Sequence, residues 1–148
     1  MADPLILLVE DNPDHRELII AALAEHCDAS RILTAADGVD ALDYLLCRGE
    51  FAGRDIRKQP RLIILDLKMS RLDGVGVLKA VRADPRVAAL PVVMLSMTSD
   101  KAELDRCYEA GANSVVRKSL VMEELRAKMS KVYEFWITVN EANRASRV

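Results

Sequence analysis

The sequence predicts an α/β fold, a five-stranded parallel sheet with helices on both faces. Three observations predict it. Strand-like and helix-like segments alternate about five times along the 148 residues. The apolar runs of the strand segments are continuous, which marks strands covered on both sides. Four of the five strands end in a residue able to do chemistry: Glu10-Asp11, Asp66, Ser96 and Lys118. Right-handed crossovers between parallel strands bring those ends to one rim.

The first strand, Leu5 to Val9, runs into Glu10-Asp11-Asn12-Pro13. Asn12 suits a helix cap and Pro13 the first turn. Leu18, Ile19, Ala22 and Leu23 then give one apolar face up to about Glu25. A weaker second strand spans Arg31 to Ala35, and Asp37-Gly38 turns the chain. Val39, Leu42, Leu45 and Leu46 predict a helix ending near Gly49. Arg48 to Arg61 is polar, carries glycine and closes at Pro60, so it is expected to be a long exposed connection.

Leu62-Ile63-Ile64-Leu65 forms the third strand, and Asp66 falls where it stops. Ligands of open α/β sheets bind outside the carboxyl ends of the strands, so Asp66 is the leading candidate for a reactive residue. Asp73 is placed to cap a helix carrying Val77, Leu78 and Val81, which stops before Pro85. Pro91 to Leu95 is the fourth strand, with Ser96 at its end. Leu104, Cys107 and Tyr108 mark a fourth helix, closed by Gly111. Ser114 to Val116 makes a short fifth strand before Arg117-Lys118-Ser119. The last helix starts near Glu123 and carries Leu125, Met129, Val132 and Trp136; a polar tail, Asn140 to Val148, follows. Tyr133, Phe135 and Trp136 are too closely spaced for one helical face to bury all three.

Hydrophobic residues make up 51% and charged residues 30%, as expected for a soluble domain with a real core. The net charge of −2 provides no field for nucleic acid or for an anionic membrane. No apolar run spans a bilayer and no signal peptide is present, so a cytoplasmic protein is expected. Cys27, Cys47 and Cys107 lie far apart with no zinc or redox spacing. They are expected to be reduced, mostly buried thiols.

Three carboxylates at one rim, Glu10, Asp11 and Asp66, repel one another and need a cation to stay ionised. Oxygen ligands of this kind suit magnesium. A cation there would keep Asp66 deprotonated and nucleophilic. Lys118 offers a positive charge to a phosphoryl oxygen, and Ser96 a hydrogen bond. Together they make a phosphoryl-transfer site with an aspartate acceptor.

The run Leu8-Val9-Glu10-Asp11-Asn12, then Leu65-Asp66-Leu67 with Asp73-Gly74, then Val92 to Ser96, and Gly111-Ala112-Asn113 through Lys118, resembles the receiver domain of two-component response regulators. The resemblance covers about Leu5 to Trp136. It implies a flavodoxin-like strand order 2-1-3-4-5, with Asp66 as phosphoacceptor. It also implies magnesium on Glu10, Asp11, Asp66 and the backbone carbonyl of Lys68. Ser96 would be the switch hydroxyl and Lys118 the active-site lysine. The partner implied is a sensor histidine kinase. The long connection before the third strand and the Tyr133-Glu134-Phe135-Trp136 ending are similar to single-domain regulators partnered with bacterial phytochrome kinases. That subgroup implies a homodimer built on the carboxyl-terminal region. The expected division is a receiver domain, residues 1–137, and a tail, 138–148, with no output domain and no DNA binding.

Three positions depart from the family pattern. Val115 stands where an aromatic switch residue is usual, so a muted change on the face of the fourth helix and fifth strand is expected. Ser119 follows Lys118 where proline, often with a cis bond, is usual. A cis bond there would cost about 2.5–4 kcal/mol, so either the peptide is trans or the site carries strain. Ser70 replaces a proline often found after the third strand. Two other readings compete. One is a receiver-fold binding module that is not phosphorylated. The other is an aspartate-nucleophile phosphatase, disfavoured because Lys68 occupies the place of its second acid.

Overall fold

The computed structural model describes residues 4–142. Five strands form one parallel sheet of order β2-β1-β3-β4-β5, the flavodoxin-like order. They are β1 (Ile6–Val9), β2 (Ile32–Ala35), β3 (Leu62–Asp66), β4 (Val92–Ser96) and β5 (Ser114–Arg117). The helices between and after them are α1 (Pro13–Leu23), α2 (Gly38–Leu45), α3 (Gly74–Ala83), α4 (Lys101–Glu109) and α5 (Met122–Tyr133). Every residue of the three central strands is buried, which explains why their sequences do not alternate.

Successive strand residues nevertheless point to opposite faces. Leu7, Val9, Ile63, Leu65 and Met94 pack with α2 and α3. Ile6, Leu8, Leu62, Ile64, Val93 and Leu95 pack with α1 and α5. The helix starts follow side-chain chemistry. Asn12 Oδ1 accepts from the N–H groups of Asp14 and His15. Asp37 and Asp73 accept from Asp40 and Gly76, three residues on in each case.

The connection between α2 and β3 departs from the exposed loop expected. It contains a short 3-10 helical turn, Gly49–Phe51, and it is fastened inward. The Arg54 guanidinium lies 3.6 Å from the centroid of the Tyr44 ring. Arg54 also donates to the carbonyls of Tyr44 and Lys58. Gln59 is buried, donating to the Leu45 carbonyl at 2.8 Å. The segment therefore carries its own polar anchors, which composition alone does not disclose.

Other expectations also shift. Helix α2 stops at Leu45, and Cys47 takes a positive φ of 55°. Of the thiols only Cys107 is buried; Cys27 and Cys47 are half-buried. Helix α5 passes into a π-helical stretch, Glu134–Val139, instead of fading at Trp136. The aromatic residues there divide as their spacing requires. Tyr133 stacks on His26, while Phe135 is 49% exposed and meets Trp136 edge to face. Residues 143–148 of the polar tail lie outside the described residues.

Candidate phosphoacceptor site

Sheet register assembles the site. Val9 pairs with Leu65, so the next residues, Glu10 and Asp66, leave adjacent strands side by side. Ser96 pairs with Arg117, which sets Lys118 one residue further along the rim. The chain then turns away from Asp66 and re-enters the fold at Gly74. A Cβ on Gly74 would sit 2.4 Å from the Asp66 carbonyl oxygen, so only glycine lets α3 start this close to β3.

The result is a small cleft of about 190 Å³ lined by Glu10, Asp11, His15, Asp66, Lys68 and Lys118, among others. Glu10, Asp66 and Lys118 are buried, and Asp11 is half-buried at the mouth. Lys118 Nζ donates to Asp66 Oδ1 at 3.2 Å and to Glu10 Oε1. It also lies 3.0 Å from His15 Nδ1. An ammonium only donates, so this last contact uses His15 with its proton on Nε2.

Ligand oxygens of Glu10, Asp11 and Asp66 all lie within 4.8 Å of one another. The donor set is purely oxygen and fits a hard divalent cation. Crowding has an electrostatic cost. Burial, and then the Glu10 charge, push the Asp66 carboxyl up to about 6, against the opposing pull of Lys118. A divalent cation among these carboxylates would offset that cost.

Ser96 is at the rim, but its hydroxyl is engaged within its own turn. Its Oγ donates to the Thr98 carbonyl and accepts from the Thr98 N–H, both at 3.1 Å. Ser119 follows Lys118 without proline, and no cis peptide occurs among the described residues. Lys118 reaches Asp66 all the same. The Ser119 hydroxyl donates to Glu124 and accepts from the Val121 N–H, shaping the turn into α5. At Val115, the N–H donates outward to the Tyr108 hydroxyl at 3.2 Å.

His15 was not among the residues singled out from sequence. The signal for it was available: it is the third residue of a helix capped by Asn12. Side chains in a helix tilt toward its N-terminus, which returns His15 to the rim.

A 2-1-3-4-5 sheet that delivers two acids, an aspartate and a lysine to one rim defines a receiver domain. The chain belongs to that family: residues 6–130 match the response regulator receiver domain. It is similar to the probable methanogenesis regulatory protein FilR2 of Methanothrix harundinacea, with 37% identity over 95% of this chain and 88% of that protein. The crystal structure of the phosphorylated cyanobacterial phytochrome response regulator RcpA superposes with a TM-score of 0.86, at 33% identity over 95% of this chain and 99% of that one. The bacteriophytochrome response regulator AtBRR gives a TM-score of 0.73, at 37% identity over 95% and 100% of the two chains. The manganese-bound form of response regulator Rcp1 gives 0.82, at 26% identity over 93% and 97%.

Proposed function

We propose that this chain is a response regulator that accepts a phosphoryl group on Asp66 from a sensor histidine kinase. The observation that carries this reading is the convergence of Glu10, Asp11 and Lys118 on the buried Asp66 carboxylate. In the transfer, the phosphorus–nitrogen bond of a phosphohistidine breaks as a phosphorus–oxygen bond to Asp66 forms. Lys118 holds the Asp66 oxygen before transfer and offers its ammonium to a phosphoryl oxygen afterwards.

Magnesium is the proposed cation, held by Glu10, Asp11, Asp66 and the Lys68 carbonyl. When bound it would neutralise charge between the carboxylates and the phosphoryl oxygens. Ser96 is the proposed switch hydroxyl, which must leave Thr98 to reach the phosphoryl group. The manganese-bound form of the relative Rcp1 supports a divalent cation here. Magnesium-dependent labelling with acetyl phosphate tests the reading. Wild type should label and Asp66→Asn should not; equal labelling of both would overturn it.

RcpA and AtBRR, both phytochrome response regulators, support a bacteriophytochrome as the partner kinase. The proposed output is contact with another protein or onward phosphotransfer, without enzymatic turnover beyond slow self-phosphorylation and self-dephosphorylation. No helix among the described residues is long and apolar enough to cross a membrane, and the proposed place of action is the cytoplasm. The exposed Phe135 and Val139 beside Trp136 support a homodimer through the carboxyl-terminal region. Sedimentation should then show a dimer for wild type at micromolar concentration and a shift toward monomer for Phe135→Ala.

A further inference from the structure

Ser70 brings to the site a group that has no letter in the sequence. Its backbone N–H donates to Asp11 Oδ2 at 3.1 Å, across 59 residues of chain. Among the described contacts this is the hydrogen bond that Asp11 receives. A carboxylate has two oxygens. When an N–H holds one, rotation about the side-chain bond is restricted and the other is kept turned to its neighbours. Asp11 is one of the three carboxylates whose oxygens gather within 4.8 Å.

The amide is itself held in place. Ser70 O accepts from the Leu72 N–H at 2.8 Å, and the Gly74 N–H donates to the Leu67 carbonyl at 2.9 Å, closing the loop on itself. Arg71 adopts a positive φ of 66°. Its guanidinium pairs with Asp37 at 2.9 Å and with Asp40 at 3.3 Å, at the start of α2. A proline at position 70 could make no such bond, because it has no N–H.

We infer that the Ser70 backbone N–H is a positioning donor of the cation site, orienting Asp11 and coupling cation binding to the loop between β3 and α3. The inference rests on the reading of Asp11 as a cation ligand. Groups of this kind, one shell out from the ion, commonly change metal affinity by about 10–100-fold when removed. The Ser70 hydroxyl plays no part, so the side chain is replaceable while the amide is not. Arg71 ties the same loop to the start of α2.

Two measurements on the full chain test this, with Mn2+ alone as the probe. In calorimetric titration, Ser70→Pro should bind Mn2+ about 10-fold more weakly than wild type. Ser70→Ala, which keeps the N–H, should restore binding. In proton–nitrogen correlation spectra of the metal-free protein, the Ser70 amide should move when Asp11 is changed to Asn. That measurement does not depend on the proline variant folding. Wild-type affinity in a folded Ser70→Pro, or a Ser70 amide indifferent to Asp11→Asn, overturns the inference. Undiminished Mn2+ binding by both Asp11→Asn and Asp66→Asn would instead overturn the cation-site reading beneath it, and the inference with it.

Discussion

The connections into and out of β3 are each fastened by an arginine, and the two arginines are used differently. At the amino end, Arg54 is bound to backbone carbonyls and to the face of Tyr44. Those partners carry no net charge and are part of the main chain or core. At the carboxyl end, Arg71 is bound among the described residues to side-chain carboxylates, those of Asp37 and Asp40, and is itself 53% exposed. Its partners are screened by salt and can be exchanged. The lesson is that one end of the strand is fastened permanently while the other is fastened reversibly. The reversible end carries the chemistry.

That contrast can be broken most strongly at Lys118. Replacing it with Ala leaves Glu10 and Asp66 buried without their ammonium. Without metal, denaturant unfolding should show a loss of about 3–5 kcal/mol. Added magnesium should recover much of it, because the cation replaces the missing positive charge.

The next largest effect belongs to the permanent end. Arg54→Ala removes a stacked cation and two carbonyl contacts, and should cost about 2 kcal/mol in denaturant unfolding. Mn2+ affinity should stay at the wild-type value. A change in affinity would mean that the two ends of β3 communicate.

The third effect is a pH dependence. The Asp66 carboxyl is raised from 3.8 to about 6 in the folded protein. Between those values the folded state holds a proton that the unfolded state has released. Stability of the metal-free protein is therefore fullest below pH 3.8 as far as this group is concerned, and it falls as pH rises through about 6. The drop should be on the order of 1–2 kcal/mol after allowance for partial solvent screening. Asp66→Asn should remove this slope and leave the metal-free protein more stable at neutral pH. Unfolding midpoints at pH 4, 5, 6 and 7 would show whether it does, each about one unit apart across the window.

The smallest effect is at Arg71. Exposed ion pairs contribute little, so Arg71→Ala should cost less than about 1 kcal/mol, and high salt should erase the difference. Amide hydrogen exchange in the loop from Leu67 to Asp73 should nevertheless quicken. A large stability loss would place Arg71 with Arg54 and remove the contrast.

Much of this was legible in the sequence because the signals were local. Continuous apolar runs gave the central strands, and Asn12 and Asp73 announced two helix starts; Asp37, read as a turn, caps a third. Asp66, Glu10, Asp11 and Lys118 could be placed at one rim because parallel strands align their ends. What could not be read depends on how loops travel through space. Arg54 looks like a solvent-facing charge until the chain folds it over Tyr44. The hydrogen-bond donor to Asp11 is a main-chain amide, which every residue but proline has. Ser96 is at the right strand end, yet the partner of its hydroxyl is Thr98, a local competition that residue type does not settle.

The outer edge of β5 has a separate consequence. It is the last strand of the sheet, and a bare edge of that kind is a template on which a second chain can add a strand. Here the Tyr108 hydroxyl occupies the Val115 donor, and Lys128 Nζ occupies the Arg117 carbonyl at 2.7 Å. Side chains from helices α4 and α5 thus act as stoppers along the border. Two of the backbone groups that an added strand would need along this edge are therefore already taken.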